Sequence, residues 1–242
     1  MFTKNHIKLE TINSTNDYTL SLKDSLVFKE GLVVTANFQS GGNGQRGKAW
    51  ESNANENLLL SVVIEPKLKL DEQSLISKIV ALSVCDLLKN LGIEAEIKWP
   101  NDILVAKQKI AGILIQNKAQ GNFITHSVIG LGFNVNQLVF KAYSHKATSL
   151  KLQLNKEYEV FQIQEQFLSF LSQRLMRLKK SDNQENEYLE SLFSKDTPAA
   201  FESDNKQFMG IIKGVSESGK LLIKLEDDSI AAFKNQQVKY LF

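Results

Sequence analysis

The chain has 242 residues, a length that suits one large domain or one domain with a small appendage. Its 29 basic and 27 acidic residues nearly balance, which leaves a net charge of +2. This balance gives no electrostatic argument for nucleic acid or a membrane surface as a partner. The apolar residues make up 43% of the chain and are spread along it, so a sizeable core can form.

The N-terminal segment and the cysteine content bear on the cellular compartment. The segment "MFTKNHIKLETINSTND" has no apolar signal-peptide core, and no apolar run approaches the ~20 residues of a membrane span. The single cysteine, Cys85, cannot form an intramolecular disulfide and lies in an apolar helical pattern. This usage suits a small buried residue in a reducing compartment. We therefore predict a cytoplasmic protein.

The first half of the chain alternates between strand and helix patterns. A short alternating pattern, "HIKLE", predicts a strand, and a helix is predicted after "STND", with Ser14 or Thr15 as its cap. The apolar runs "LVVTANF" and "LLLSVVIEP" predict two more strands, with the polar, glycine-dense segment 39–50 between them. Residues 72–91 repeat apolar side chains at helical spacing and are followed by Gly92, a typical stop.

Strand patterns dominate the second half of the chain. The run "EAEIKWPNDILVAKQKIAGILIQ" predicts strand, turn and strand, and "FITHSVIGLGFNVN" predicts a strand broken at Gly130 and Gly132. A helix is predicted at about 158–178, followed by a charged connector at 179–190, of which 179–187 is predicted to be solvated. From about residue 200, short strands separated by polar turns predict a small β-barrel, in which "SESGK" marks a hairpin.

The glycine-dense segment raises the question of a nucleotide site. Gly42, Gly44 and Gly47 match the G-x-G-x-x-G spacing of dinucleotide-binding turns. However, no hydrophobic helix follows at once, and no acidic residue ends a second strand about 20 residues later, so a Rossmann site is not favoured. A P-loop is not favoured either, because no Gly-Lys-Ser/Thr ends the segment. The pattern predicts an anion-binding loop that is not fixed by a helix.

Three further segments have the composition of a ligand site. The turn in "KWPNDIL" displays an amide and a carboxylate, including Asp102. Lys109 precedes the apolar strand "KIAGILIQ" and can aim its ammonium group into a cleft. In "GLGFNVN", the glycines permit a close backbone approach, and Asn134 offers a donor and an acceptor.

Taken together, these segments resemble the biotin protein ligases. "STN" at 14–16, the glycine-dense segment ending in Trp50, "KWPNDIL", "KIAGIL", "GLGFNVN" and "ATSL" at 147–150 follow the order and spacing of that family. The likeness is strong from residue 7 to about 150, and "KWPND" is its most diagnostic part. The β-rich tail is similar to the small C-terminal domain of the family.

The resemblance implies an α/β (α+β) fold, with a mixed β-sheet flanked by helices. The implied domains are a class II synthetase-like catalytic domain at 1–197 and a small SH3-like β-barrel at 198–242. Some members of the family carry an N-terminal DNA-binding domain. Because "STN" begins at residue 14, we expect the enzyme-only form here.

The implied activity has two steps. Biotin is activated with ATP to biotinoyl-5'-AMP with release of pyrophosphate, and the acyl group then passes to one lysine of a biotin carboxyl-carrier protein. ATP and biotin are therefore the implied substrates, and Mg²⁺ is expected with ATP. The sequence assigns no Mg²⁺ ligands and no other metal site, and it leaves a homodimer open.

The resemblance also assigns roles to individual residues. The implied biotin-binding positions are Ser14, Thr15, Asn16, Gln39, Asn43, Gly44, Gln45, Lys109 and Gly112. The implied nucleotide-binding positions are Trp50, which would stack on adenine, and Asn134, Arg46 and Lys48. Among the implied catalytic residues, Lys109 bridges the biotin carboxylate and the α-phosphate. Asp102 orients or deprotonates the acceptor lysine, and Arg46 adds positive charge.

The glycine-dense segment departs from the family pattern at three positions. Asn43, Gln45 and Lys48 stand where the family often has arginine. Asparagine and glutamine cannot reproduce the bidentate phosphate contacts of arginine. We hypothesise that Arg46 compensates; unchanged formation and leakage of the adenylate in Arg46→Ala would reject this idea.

Simpler explanations stay open for several of these residues. The "STN" residues can serve only as a helix cap, Trp50 only as an anchor for the base of the loop, and Asp102 only as a turn cap. For Lys98, a structural role is favoured. At the level of function, a lipoate–protein ligase shares the fold and the acyl-adenylate chemistry. A catalytically inactive biotin-binding or protein-interaction module is the other alternative.

Overall fold

The structure is a computed structural model that describes residues 2, 5–45, 49–141, 147–180, 182 and 184–241. In chain order, its regular elements are β1 (Asn5–Ile12), α1 (Thr15–Ser21), β2 (Leu32–Gln39), β3 (Asn57–Ile64), a 3-10 turn (Leu70–Glu72), α2 (Ser74–Asn90), β4 (Glu96–Lys98), β5 (Asp102–Val105), β6 (Gln108–Gln120), β7 (Phe123–Asn134), α3 (Leu150–Leu154), α4 (Val160–Leu178), α5 (Glu185–Glu190), β8 (Pro198–Ser203), β9 (Lys206–Val215), β10 (Leu221–Lys224), β11 (Ile230–Phe233) and β12 (Lys239–Tyr240).

The first seven strands form one mixed sheet in the order β1-β2-β3-β7-β6-β5-β4. β1 runs parallel to β2, and the other neighbours pair antiparallel. Helices flank this sheet, so the predicted mixed sheet flanked by helices is confirmed. The glycine-dense segment lies in the connection between β2 and β3, as predicted.

The two faces of the sheet are unlike, and the alternation of side chains along the strands explains why. On β3, Leu58, Leu60, Val62 and Ile64 belong to the large core that also contains the buried faces of α2 and α4. Their neighbours on β3 point the other way, toward α1. Val63 belongs there to a smaller apolar cluster that includes Leu32.

The helix face is stabilised by apolar packing and by buried cations, among them Arg174. Arg174 on α4 forms a bidentate ion pair with Asp86 on α2, with N–O distances of 2.6 and 2.7 Å. It also bonds Gln184 and Glu187, which belong to the chain around α5. These charge-assisted bonds tie three helical segments together.

The remaining strands form a five-stranded antiparallel sheet in the order β11-β10-β9-β8-β12. This sheet confirms the predicted small all-β unit at the C-terminal end. Its buried side chains, including Phe201, Ile212 and Tyr240, belong to the same large core as α2 and α4. Hydrogen bonds from Ser74 Oγ and Trp99 Nε1 reach the hairpin between β9 and β10. The division into domains at 197/198 stays a prediction, since the core is continuous across it.

Three local predictions need correction or extension. β7 is not broken at Gly130 and Gly132, since it pairs without interruption with β3 through both glycines. The predicted charged connector contains α5, whose Tyr188 is only 3% exposed, and Gln184, in the part predicted to be solvated, is also only 3% exposed. The short helix α3 was not predicted; it begins after Ser149, whose hydroxyl accepts a bond from the Leu152 amide.

The environment of Cys85 and the composition of the helices agree with the predictions of a buried cysteine and of no membrane-spanning run. Cys85 packs against the large core, and desolvation raises the pKa of its thiol to about 12. The thiol is therefore neutral and unreactive at ordinary pH. None of the helices in the described ranges combines the length and the apolar character needed to cross a membrane.

A matched pair of substitutions on α4 tests the core assignment. Phe167 is fully buried, whereas Phe161 on the same helix is 61% exposed. Phe167→Ala should lower the free energy of unfolding by about 3–5 kcal/mol, because it leaves a cavity against the sheet. Phe161→Ala should change it by only about 0.5 kcal/mol. Urea denaturation measures both, and equal losses would contradict the described packing.

Candidate functional site

A cavity of about 710 Å³ lies on the face of the large sheet that carries α1. Its size falls within the ~300–1,000 Å³ typical of small-molecule sites. The cavity is lined by residues from α1, the glycine-dense segment, β5–β7 and the chain around β12. Nearly every segment singled out in the sequence therefore contributes to one space.

Glycines in β6 and β7 form the floor of this cavity. A Cβ atom at Gly130 would lie 2.4 Å from Asn16 Oδ1, and one at Gly132 would lie 2.3 Å from Trp50 Cε2. A Cβ at Gly112, which pairs with Gly132, would lie 2.9 Å from Trp50 Cζ3. Glycine is required here because Asn16 and Trp50 lie directly on the strand backbone.

The first half of the cavity, which we call the amide half, consists of Ser14, Thr15, Asn16 and Gln39. Ser14 Oγ accepts a bond from the Asp17 amide, so it caps α1, and Ser14 also lines the cavity. Gln39 Oε1 accepts a bond from the Thr15 amide at 2.7 Å. Ser14 is therefore the cap of α1 and at the same time a residue of the cavity wall, whereas its role as a ligand contact stays a prediction.

Asn16 is held rigidly within the amide half. Its Nδ2 donates to Gln116 Oε1 at 2.9 Å and to Leu114 O at 3.4 Å. Its Oδ1 lies 2.5 Å from Ser61 Oγ, which is also 2.8 Å from Thr15 Oγ1. Because these groups are buried and paired with one another, they present a preorganised polar wall.

The second half, which we call the aromatic half, contains Trp50, Lys109, Asp102 and Asn134. Lys109 Nζ lies 2.7 Å from Asp102 Oδ1 and 5.4 Å from the centre of the Trp50 ring. The side chains of Lys109 and Asp102 keep 30% and 21% of their exposure, so both can reach a ligand. Trp50 Nε1 is buried and has no hydrogen-bond partner within the described part of the chain.

Asn134 lies at the end of β7 and closes the aromatic half from behind. It is 3% exposed, and its Nδ2 donates to Thr148 O at 2.9 Å. The Thr148 amide in turn donates to Lys109 O at 2.9 Å. The "ATSL" segment therefore connects Asn134 to the backbone of Lys109.

The described parts of the glycine-dense segment, residues 39–45 and 49–50, pair with each other beside the cavity, and we call these paired parts the hairpin. The Trp50 amide donates to Gly42 O at 2.7 Å, and the backbone of Asn43 forms an antiparallel β-bridge with that of Ala49. Asn43 Nδ2 also donates to Asp17 Oδ2 at 2.7 Å, which ties the hairpin to α1. Gly44 and Gln45 line the cavity. Arg46, Gly47 and Lys48 lie outside the described residues, so the predicted roles of Arg46 and Lys48 stay predictions.

The C-terminal sheet supplies a wall that the sequence did not reveal. Asn235, Gln236, Val238, Lys239 and Tyr240 line the cavity beside Lys98. Asn235 Nδ2 donates to Gln45 Oε1 at 2.6 Å, and Lys98 Nζ lies 5.3 Å from the centre of the Tyr240 ring. No local pattern marks these residues, because only the packing of the second sheet brings them to the site.

The chemical capacity of the site follows from these two halves. A rigid wall of amides and hydroxyls adjoins an aromatic surface that holds one ammonium group beside one carboxylate. Asn16 of the amide half lies over Gly130, and Trp50 of the aromatic half lies over Gly132. These two glycines are two residues apart on one strand, a separation of about 7 Å. Ligands bound in the two halves can therefore meet beside Lys109. Within the described ranges, no group of three or more His, Cys, Asp or Glu residues is placed to hold a metal ion.

Comparison with protein families gives one match over half of the chain. The family model described as "Biotin/lipoate A/B protein ligase family" matches residues 9–134. This range covers the amide half, the glycine-dense segment and the floor of the cavity.

Individual relatives agree with this match. The Bacillus subtilis protein named bifunctional ligase/repressor BirA is 33% identical over 109 residues, which cover 45% of this chain and 34% of that protein. The chain thus spans about a third of the length of this curated relative. The Escherichia coli protein of the same name is 28% identical over 241 residues, which cover 92% of this chain and 69% of that protein.

A solved structure extends the likeness in fold to the whole chain. The biotin protein ligase from Aquifex aeolicus, in complex with biotin and ATP, superposes with a TM-score of 0.80 at 23% sequence identity. The superposition covers 99% of each chain. Both sheets of this protein therefore have counterparts in a known fold.

The contact between Trp50 and Gly132 can be tested by substitution. Gly132→Ala should displace the Trp50 ring, because the new Cβ would lie 2.3 Å from Cε2. In a Trp99→Phe background, where Trp50 is the remaining tryptophan, the emission should shift to longer wavelengths as the ring becomes solvated. Thr125→Ala, on the same strand, should leave the emission unchanged. Identical spectra for the two variants would contradict the described floor.

Proposed function

This chain belongs to the biotin/lipoate A/B protein ligase family, and we propose that it is a biotin–[biotin carboxyl-carrier protein] ligase. In the first step, a carboxylate oxygen of biotin attacks the α-phosphorus of ATP, and pyrophosphate leaves. In the second step, a lysine nitrogen of the carrier protein attacks the acyl carbon. The acyl–oxygen bond breaks, AMP leaves, and the amine loses a proton as the amide forms.

One observation carries this proposal: the Lys109 ammonium group lies in the cavity, 2.7 Å from Asp102 and beside Trp50. Both reactants of the first step are anionic, so their approach requires a fixed positive charge. Holding the two in line supplies much of the remaining rate enhancement. Among the cationic side chains of the described residues, Lys109 is best placed for this role. It lies beside Trp50 in the aromatic half and next to Gly112 of the floor.

We assign biotin to the amide half and to the adjoining floor. Ser14, Thr15, Asn16 and Gln39 present fixed hydroxyl and amide groups, which suit a ureido ring that both donates and accepts hydrogen bonds. Gly112 lets Trp50 and Lys109 lie directly against β6 beside this half, and Asn43, Gly44 and Gln45 cover the ligand from the hairpin.

We assign the nucleotide to the aromatic half. The Trp50 ring offers a stacking surface for adenine, and Asn134 fixes the end of β7 beside it. In this proposal, Arg46 and Lys48 supply additional charge for the phosphates. Mg²⁺ enters as part of the magnesium–ATP substrate, held chiefly by the phosphates, which does not require a cage of protein ligands.

Asp102 acts in both steps of this proposal. It first holds the Lys109 ammonium group in place through their ion pair. In the second step, the same carboxylate accepts the proton of the incoming amine, which attacks the acyl carbon only in its neutral form and thereby displaces AMP. Enclosure by the hairpin protects the adenylate from water between the steps.

Three further predictions from the sequence stay predictions and are not used to support the proposal. These are the carrier domain of a biotin-dependent carboxylase as partner, a cytoplasmic location, and the absence of nucleic-acid or membrane partners. A homodimer stays open.

The direct test is mass spectrometry of a biotin carboxyl-carrier domain incubated with this protein and ATP. With biotin, the carrier should gain the mass of one biotinoyl group on one lysine. A parallel reaction with lipoate addresses the main alternative, and a gain of mass only with lipoate would replace biotin in the proposal. If neither acid releases pyrophosphate from ATP, the protein is a binding module rather than a ligase.

Lys109→Ala tests the assigned cation. The rate of adenylate formation should fall by about 10²–10³-fold, since removal of one preorganised group that stabilises the transition state costs this much. The free energy of unfolding should change little, because the side chain is partly exposed. Lys118→Ala, an exposed lysine on the same strand, is the matched control. Comparable turnover in the two variants would remove Lys109 from the mechanism.

A further inference from the structure

A second buried amide system lies behind the aromatic half, and the proposed mechanism does not use it. Asn57, the first residue of β3, is 2% exposed, and Gln137, just after β7, is fully buried. Asn57 Nδ2 donates to Gln137 Oε1 at 2.5 Å and to Ser52 Oγ at 3.0 Å. Asn57 Oδ1 accepts a bond from the Val135 amide at 3.0 Å.

These bonds use both hydrogens of the Asn57 amide and join two separate segments of the chain. One is the segment 50–53, which follows the glycine-dense hairpin. The other is the segment 135–140, which follows β7. Gln137 Oε1 strengthens the link by accepting a second bond, from the Asn53 amide at 3.1 Å. Gln137 Nε2 meanwhile donates to Val139 O at 2.8 Å, which shapes the second segment itself.

Both joined segments carry an aromatic residue that lines the cavity. Trp50 begins the first segment, and Phe140 ends the second. The Lys141 amide also donates to Glu51 Oε2 at 3.3 Å, so the segments meet again beyond the buried system. The two backbone segments that carry these aromatic side chains are therefore joined by hydrogen bonds of residues that, apart from Glu51, do not line the cavity.

The amide half has no comparable connection to this system. The bonds of Asn16 run to Ser61, Leu114 and Gln116, and those of Thr15 run to Gln39 and Ser61. None of these residues is a partner of Asn57 or Gln137 among the described bonds. A change in the buried amide pair should therefore affect one half of the cavity selectively.

We propose that Asn57 and Gln137 are positioning residues. They hold Trp50 and Phe140 at a fixed position relative to each other and thereby set the affinity of the aromatic half for the nucleotide. This inference rests on the proposed function only for the identity of the ligand. The geometric part, that the pair fixes Trp50, stands independently. The pair acts through Ser52, Asn53, Val135 and Val139, and it does not contact the ligand.

Gln137→Met is the principal test. Methionine has a similar length and remains apolar, but it leaves the Asn57 Nδ2 and Asn53 N–H groups without their acceptor. Because both donors lose this acceptor, the KM for ATP should rise about tenfold or more, while the KM for biotin should change less than twofold. Ser52→Ala removes the bonds of Ser52 Oγ to Asn57 Nδ2 and Asn53 O but keeps the acceptor of Gln137, so it should produce a smaller change in the same direction. It serves as the principal variant if Gln137→Met does not fold.

Asn136→Ala is the matched control. Asn136 is the neighbour of Gln137 and also makes two side-chain bonds, but both go to the backbone of Tyr158 and neither reaches the segment 50–53. It should lower stability to a similar extent and leave the ratio of the two KM values unchanged. A general loss of stability would affect both variants alike, whereas the proposed positioning role would not.

A spectroscopic measurement separates this inference from the proposed function. In the Trp99→Phe background, acrylamide should quench the Trp50 emission more strongly after Gln137→Met than after Asn136→Ala. This readout decides the geometric part even if the protein proves to have no ligase activity. Unchanged quenching, or equal rises in both KM values, would overturn the inference.

Discussion

The direct contact between the Trp50 ring and the bare backbone of Gly132 is the constraint on which the site depends. The ring can lie on the sheet only because Gly112 and Gly132 pair with each other and neither carries a side chain. Once the ring is there, the Trp50 amide closes the glycine-dense hairpin, and the ring face lies beside Lys109. The position of the cation and the position of the hairpin therefore follow from the same two missing side chains.

The two faces of the large sheet contribute to the free energy of folding in opposite ways. The face toward α2 and α4 is apolar and closely packed, and it supplies most of the favourable free energy of folding. The face toward α1 carries buried hydroxyls and amides, which are costly unless each finds a partner. Asn16 pairs with both Ser61 and Gln116, and Asn57 pairs with Gln137. The polar face can persist because the apolar face compensates for it.

The sequence predicted the elements whose patterns are local. The strands on either side of the glycine-dense segment, the cap at Ser14, the helix that became α2 and the small C-terminal sheet were all recognisable from spacing or turn chemistry. Lys109 and Asp102 were predicted as site residues, and the structure brings them together as an ion pair. The break predicted in β7 was wrong because glycine weakens a strand in isolation, whereas here both neighbours pair with it and Asn16 and Trp50 fill the space above. The buried α5 and the wall from β12 could not be predicted, since both depend on contacts between residues far apart in the chain.

The wall around Val238 and Tyr240 has a consequence for how the protein is made. The opposite wall begins at Ser14, so the cavity is enclosed by residues more than two hundred positions apart in the chain. The same C-terminal strands bring Phe201, Ile212 and Tyr240 into the core that they share with α2 and α4. During synthesis, both the completion of this core and the closure of the pocket therefore wait until the last strand has left the ribosome. The polypeptide becomes competent to bind only at the very end of its own production.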